Sequence, residues 1–167
     1  TVLAEHLLHL MAQKLPVEPR LTILGTLVPQ LAGTTWRAQV PGVVEQALQE
    51  VEQADVLVVV TPVFRGSYTG MFKHFFDLIH QDALIDKPIL LAATGGSQRH
   101  ALMIDHQLRP LFSFFQARTL PLGVYATDSD FESHRLHSAA LLKRAQLSVD
   151  RALPVIELIC RAPAVTP

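Results

Sequence analysis

The apolar residues of this chain follow two alternating rhythms. Over residues 2–14, Val2, Leu3, Leu7, Leu10 and Met11 recur at helical spacing, and the pattern stops before Pro16. Residues 20–25 hold a short apolar run that reads as a strand, and residues 26–40, with Pro29, Gly33 and Trp36, read as irregular. A second helix is predicted over 41–53, with Pro41 in the first turn, where a missing N–H costs nothing. Residues 55–61 are different. Their core, Val56-Leu57-Val58-Val59-Val60, shows no alternation, which predicts a parallel strand buried on both faces. A loop over 61–69 leads into a helix over 70–79. Residues 88–93 form another unalternating strand, 94–97 a loop, 98–116 a helix, and 119–126 a strand that Pro121 places toward an edge. After a loop over 127–137, a last helix is predicted from 138 to 160, with Pro154 kinking or splitting it.

Helices and strands thus alternate along the chain, which predicts an α/β fold: a doubly wound parallel sheet in a three-layer α/β/α arrangement. The chain opens at Thr1 directly in a helical pattern with no capping residue before it. A first strand and its following loop are therefore expected upstream of Thr1, where they would complete a five-stranded sheet. The 167 residues suit a single domain, 1–167. Ligands of such folds bind outside the carboxyl ends of the strands. Two loops occupy such ends, 61–69 and 94–98.

Composition narrows the function classes. The hydrophobic fraction is 49% and the charged fraction only 17%, so either the sheet is wholly buried or apolar surface is hidden against another subunit. Fourteen basic and fifteen acidic residues give a net charge of −1, which leaves no electrostatic footprint for nucleic acid. A single cysteine, Cys160, excludes an intrachain disulfide and reads as a core or interface residue. No apolar stretch reaches membrane length and no secretory signal is visible, so the cytoplasm is the expected compartment. His6/His9 and His134/His137 have helix-compatible spacing, but no carboxylate or thiol completes a metal site, and none is expected. The helix over 98–116 carries Leu108, Leu111, Phe112 and Phe115 on one face, with Met103 and Phe114 elsewhere. Apolar residues on more than one face imply more than one neighbour, as in a homo-oligomer built through this helix or a helix tucked under the C-terminal segment.

The chemistry concentrates in the two loops. In Thr61-Pro62-Val63-Phe64-Arg65-Gly66-Ser67, Pro62 ends the strand ladder and Gly66 permits a tight turn. Phe64 either folds back into the core or stays exposed to meet a planar aromatic ligand. In Thr94-Gly95-Gly96-Ser97, two glycines let backbone pass close to a flat ligand, and N–H groups at the next helix start can stabilise negative charge. A plain strand-to-helix turn reads the same way.

Taken together, Thr61 through Lys73, then Asp77-Leu78-Ile79, then Ala93 through Ser97 resemble the NADPH-dependent FMN reductase family. The stretch from His100 to Pro110 is similar to the flavin reductases that supply reduced FMN to alkanesulfonate and methanesulfonate monooxygenases, and residues 112–115, 120–126 and the acidic loop after them favour the methanesulfonate branch. The match is dense over 55–126. It implies a flavodoxin-like fold, with Thr61, Pro62, Val63, Phe64 and Arg65 lining one side of the isoalloxazine and Thr94, Gly95, Gly96 and Ser97 its pyrimidine end. It implies NADH or NADPH as hydride donor, with hydride passing directly to the flavin and no side chain in a catalytic role. Phe64 stands where many relatives have tyrosine. The family's phosphate loop would lie upstream of Thr1. The resemblance further places His106 in a π-helix at a tetramer interface, and implies a partner monooxygenase that receives the reduced flavin. An azo- or quinone reductase that retains FMN is the alternative, followed by an electron carrier. Arg65, Lys73 and Arg99 are each candidates to meet a 2′-phosphate.

Overall fold

A computed structural model of the protein describes residues 1–161, with side chains through residue 159. The side chain of Cys160 therefore lies outside the described residues. Two long parallel strands organise the molecule. Strand β1 (Leu57–Pro62) pairs with β2 (Pro88–Gly95) in a register running from Leu57↔Ile89 to Pro62↔Thr94. On its other side β2 pairs with β3 (Arg118–Thr119) near its start and β4 (Val124–Thr127) near its end. Thus β3 and β4 are two segments of one edge, all parallel to β2.

The lack of alternation in β2 is explained by what covers it. Ile89, Leu91 and Ala93 join one core with Leu48, Phe75, Phe76, Leu108 and Phe112. That layer is built from α2 (Leu24–Leu31), α3 (Gly42–Gln53), α4 (Gly70–Asp77) and α5 (Arg109–Phe114) with the turns before it. Leu90 and Ala92 point the other way, into a second core with Leu3, Leu7, Val124, Ala126, Ala145 and Val149. That layer is α1 (Val2–Ala12) and the long α6 (Ala139–Arg161). Helices on both faces bury every position of β2 from Pro88 to Ala93 and leave none of those for a polar residue. Among the described residues, no helix is long and apolar enough to cross a membrane.

The structure departs from the sequence expectations in several places. Residues 20–25 are not a strand. Residues 16–23 have no regular structure and α2 begins at Leu24. A strand needs a neighbour to bond its N–H and C=O groups, whereas a helix satisfies them internally, and the helix forms where no ladder is offered. Second, β1 is only half-buried at Leu57, Val58 and Val60 and exposed at Pro62, because its outer edge pairs with no other strand among the described residues. Third, the strand over 119–126 is interrupted at residues 120–123, where Pro121 cannot donate to a ladder. Fourth, the loop over 127–137 contains a short antiparallel hairpin, β5 (Phe131–Glu132) with β6 (Arg135–Leu136), turning through Ser133 and His134 at positive φ. Fifth, Pro154 does not split α6, which is continuous through it.

The helix expected over 98–116 is three pieces: a 3-10 turn at Gln98–His100, a π-helix at Ile104–Leu108, and α5. Pro110 sits in the first turn of α5, where its missing N–H removes one rung of the α-helical ladder. Gly123 lets this segment approach the edge strand. A Cβ there would lie 2.8 Å from Ile104 Cγ2 and 3.2 Å from the Leu91 carbonyl oxygen. Donors from flanking helices cover the interrupted edge. Arg109 donates to the carbonyls of Leu120 and Pro121, Ser148 to that of Leu122, and Arg144 to that of Gly123.

Candidate functional site

The two loops singled out by sequence meet at the carboxyl ends of β1 and β2. The ladder between the strands continues one residue past Pro62, where the Val63 N–H donates to the Thr94 carbonyl at 2.7 Å. The chain then reverses sharply. Phe64 N–H donates to Ser67 O at 2.9 Å and Ser67 N–H to Phe64 O at 3.3 Å. Between them Arg65 has φ 53° and Gly66 φ 86°. Left-handed backbone at both central positions is a type I′ turn, which Gly66 adopts freely and Arg65 adopts at a cost of about 1 kcal/mol.

This turn decides the fate of Phe64. Its ring is 66% exposed instead of folding into the core. Pro62 and Arg65 are exposed beside it, Val63 is partly covered, and Thr61 is fully buried with its hydroxyl donating to the Pro62 carbonyl at 3.1 Å. The loop is held at both ends. Ser67 Oγ donates to Gln107 Oε1 in the π-helix at 3.2 Å. Thr69 Oγ1 accepts from the Phe72 N–H at 3.1 Å and caps α4, worth about 1 kcal/mol.

The second loop is shaped by what stands behind it. A Cβ on Gly95 would run into the Tyr125 hydroxyl, with Val63 Cβ 3.4 Å away on the other side. Gly96 lies against Asp128, whose carboxylate would be 3.6 Å from a Cβ there. The Tyr125 hydroxyl donates to the Ser97 carbonyl at 2.9 Å. Burial, with the Asp128 charge adding to it, raises the Tyr125 pKa above the ordinary phenol value, so the hydroxyl keeps its proton and remains a donor. Among the described residues, the Gly96 and Ser97 N–H groups meet no protein acceptor.

Thr61–Arg65 and Thr94–Ser97 are therefore brought together, through Val63 with Thr94 and Gly95. His106 is exposed in the π-helix, next to the Gln107 that holds Ser67. Lys73 forms an ion pair with Asp77, while Arg65 and Arg99 are exposed. Gln107, Tyr125 and Asp128 escaped the sequence reading. Tyr125 could have been found only from strand register, because its position opposite Ala93 places it beside the loop that follows β2. The arrangement suits a flat aromatic ring that gathers negative charge at one end. It offers an exposed aromatic side chain, a pair of glycines without side chains, and N–H donors free to bond ring carbonyls.

A family model described as NADPH-dependent FMN reductase matches residues 1–132. The chain belongs to that family. It is an oxidoreductase working with FMN and a nicotinamide cofactor, and its parallel sheet between helical layers is flavodoxin-like. Among its relatives, the NADH-dependent FMN reductase SfnE of Pseudomonas putida is 56% identical over 153 residues, covering 92% of this chain and 82% of the relative. An FMN reductase (NADPH) of Pseudomonas aeruginosa is 51% identical over 154 residues, covering 92% and 83%. The solved structure of an oxidoreductase from Corynebacterium diphtheriae superposes with a TM-score of 0.78 at 36% identity, covering 94% of this FMN reductase and 86% of that chain.

Proposed function

We propose that this FMN reductase treats flavin as a substrate, reducing it and releasing it to a separate FMN-dependent monooxygenase of sulfonate metabolism. In this reading residues 1–167 form one flavin domain. Thr61, Pro62, Val63, Phe64 and Arg65 line one side of the isoalloxazine, and Thr94, Gly95, Gly96 and Ser97 its pyrimidine end. The observation that carries it is the slot made where Val63 bonds Thr94, with Phe64 exposed on one side and unpaired N–H groups on the other. Bound FMN supplies N5 as the hydride acceptor, so no side-chain acid or base is needed. The protein's work is positional. The I′ turn holds Phe64 outward, and the Ser67–Gln107 bond holds the turn to the π-helix. A homo-oligomer, a tetramer with His106 at an interface, accords with the exposure of Phe114 beside a groove lined by Tyr68, Phe76 and Leu111. The relatives' names divide between NADH and NADPH; of the candidates to meet a 2′-phosphate, Arg65 and Arg99 are exposed and Lys73 is paired with Asp77, which favours the two arginines.

The test is steady-state oxidation of NADH and NADPH by the full chain with FMN, FAD or riboflavin added. Turnover that depends on added FMN, with flavin lost on dialysis, is the expected result. Protein that stays yellow through dialysis and turns over without added FMN would instead identify a reductase that retains its flavin. A coupled assay with a sulfonate monooxygenase then reads transfer to the partner.

A further inference from the structure

Tyr125 is not among the residues that the family resemblance assigns to the flavin, yet it shapes the loop at the pyrimidine end more than any other side chain. Three observations converge on it. Its hydroxyl donates to the Ser97 carbonyl at 2.9 Å, across the loop. The same hydroxyl occupies the space that a side chain at Gly95 would need, so Gly95 is glycine because Tyr125 stands there and not because of a left-handed φ. Finally, β4 places Tyr125 opposite Ala93 in register, which makes it a rigid strand residue supporting a flexible Gly-Gly segment.

Bonding the Ser97 carbonyl from behind has a directional consequence. Holding the Ser97 carbonyl anchors the far end of the Gly95–Ser97 segment and narrows the directions open to the N–H groups before it, and among the described residues those of Gly96 and Ser97 meet no protein acceptor. Two consecutive glycines alone would let this path wander, since glycine loses more conformational freedom on ordering than any other residue. The phenol supplies the restraint that the loop's own sequence lacks. We infer that Tyr125 is a positioning residue for flavin: its hydroxyl orients the Gly95–Ser97 backbone so that its N–H groups meet the pyrimidine end of the ring, setting flavin affinity and not the rate of hydride transfer. This rests on the placement of flavin at the two loops.

The test uses the full chain and reads binding first. Oxidised FMN is titrated into wild type and Y125F, following quenching of flavin fluorescence, and KM for FMN and kcat are then measured with NADH in excess. Removing one hydrogen bond that organises the loop should weaken FMN binding about fivefold, raise KM for FMN alike and leave kcat within about twofold. A double-mutant cycle with G95A supplies the second measurement. The added methyl collides with the hydroxyl and not with the flavin, so G95A should lose affinity on its own and regain part of it in the Y125F background, where the nearest ring atom, Tyr125 Cζ, stands 3.3 Å away. Equal affinity in Y125F and wild type, a loss confined to kcat, strict additivity of the two substitutions, or a Y125F that fails to fold would each overturn the role. If wild type itself neither quenches FMN fluorescence nor oxidises NADH with FMN, the flavin placement fails and this inference falls with it. If wild type does both and Y125F behaves identically, only Tyr125 is refuted.

Discussion

At the scale of single residues, the site depends on side chains whose neighbours force them into unusual company. Phe64 is apolar, exposed and held at the tip of a turn strained at Arg65. Such a residue contributes little to folding, so F64A should change stability by less than about 0.5 kcal/mol. The same substitution should weaken FMN binding about tenfold, since ring-on-ring contact is worth up to about 1.5 kcal/mol. Thermal melting and fluorescence titration on one preparation separate the two effects. A large drop in melting temperature with unchanged affinity would return Phe64 to the core. Sequence made both fates of this ring conceivable. What decided between them was the pair of positive φ angles at Arg65 and Gly66, and only Gly66 announces such an angle by its residue type.

At the scale of elements, polar clamps hold the helices around the sheet. Arg37, in the turn before α3, donates to both Glu45 and Glu52 of that helix, and Glu52 also accepts from the His80 N–H at the end of the α4 segment. Hydrogen bonds from Arg37 and then Gln49 bring the Glu45 pKa below its ordinary value. Burial by itself would raise Glu52, but bonds from Arg37 and His80 outweigh it, and its pKa is also lowered. A carboxyl group lowered on folding adds stability above its unfolded pKa, and that stability disappears as pH falls through the folded value. In urea unfolding, the stability these two carboxylates contribute should therefore decline as pH falls below the ordinary glutamate value of 4.5. R37M should be less stable at pH 7 by about 1 kcal/mol, with a shallower decline in acid. A second element-scale test is G123A, whose methyl would press on Ile104 and on the Leu91 carbonyl and should cost about 1–3 kcal/mol in urea unfolding. The elements most legible in sequence were those fixed by their own residues, such as β2 with its unbroken apolar run and α3 with its bounded helical pattern. Those that went astray depended on partners. Residues 20–25 have apolar character fit for a strand but no ladder to join, and the split of β3 from β4 reflects the packing of Arg109 and Gly123 as much as Pro121.

At the scale of the whole molecule, the fold leaves several large apolar side chains exposed, and Phe114 is the aromatic among them that lies on a groove. Phe114 is 68% exposed on α5, beside a groove of about 540 Å³ lined also by Tyr68, Phe76, Leu111 and Phe115. The proposed homo-oligomer would cover an aromatic there. F114D should shift the protein toward smaller species in sedimentation velocity, and a wild type that sediments as a monomer at all concentrations would refute this. The interrupted edge of the sheet is built on another plan. Four successive carbonyls, from Leu120 to Gly123, are each occupied by a donor from α5 or α6. An unguarded margin of this kind recruits stray polypeptide, one strand templating the next until fibres result. Here Arg109, Ser148 and Arg144 bind off the margin over residues 120–123 like a selvedge, leaving none of those four carbonyls loose for another strand to catch.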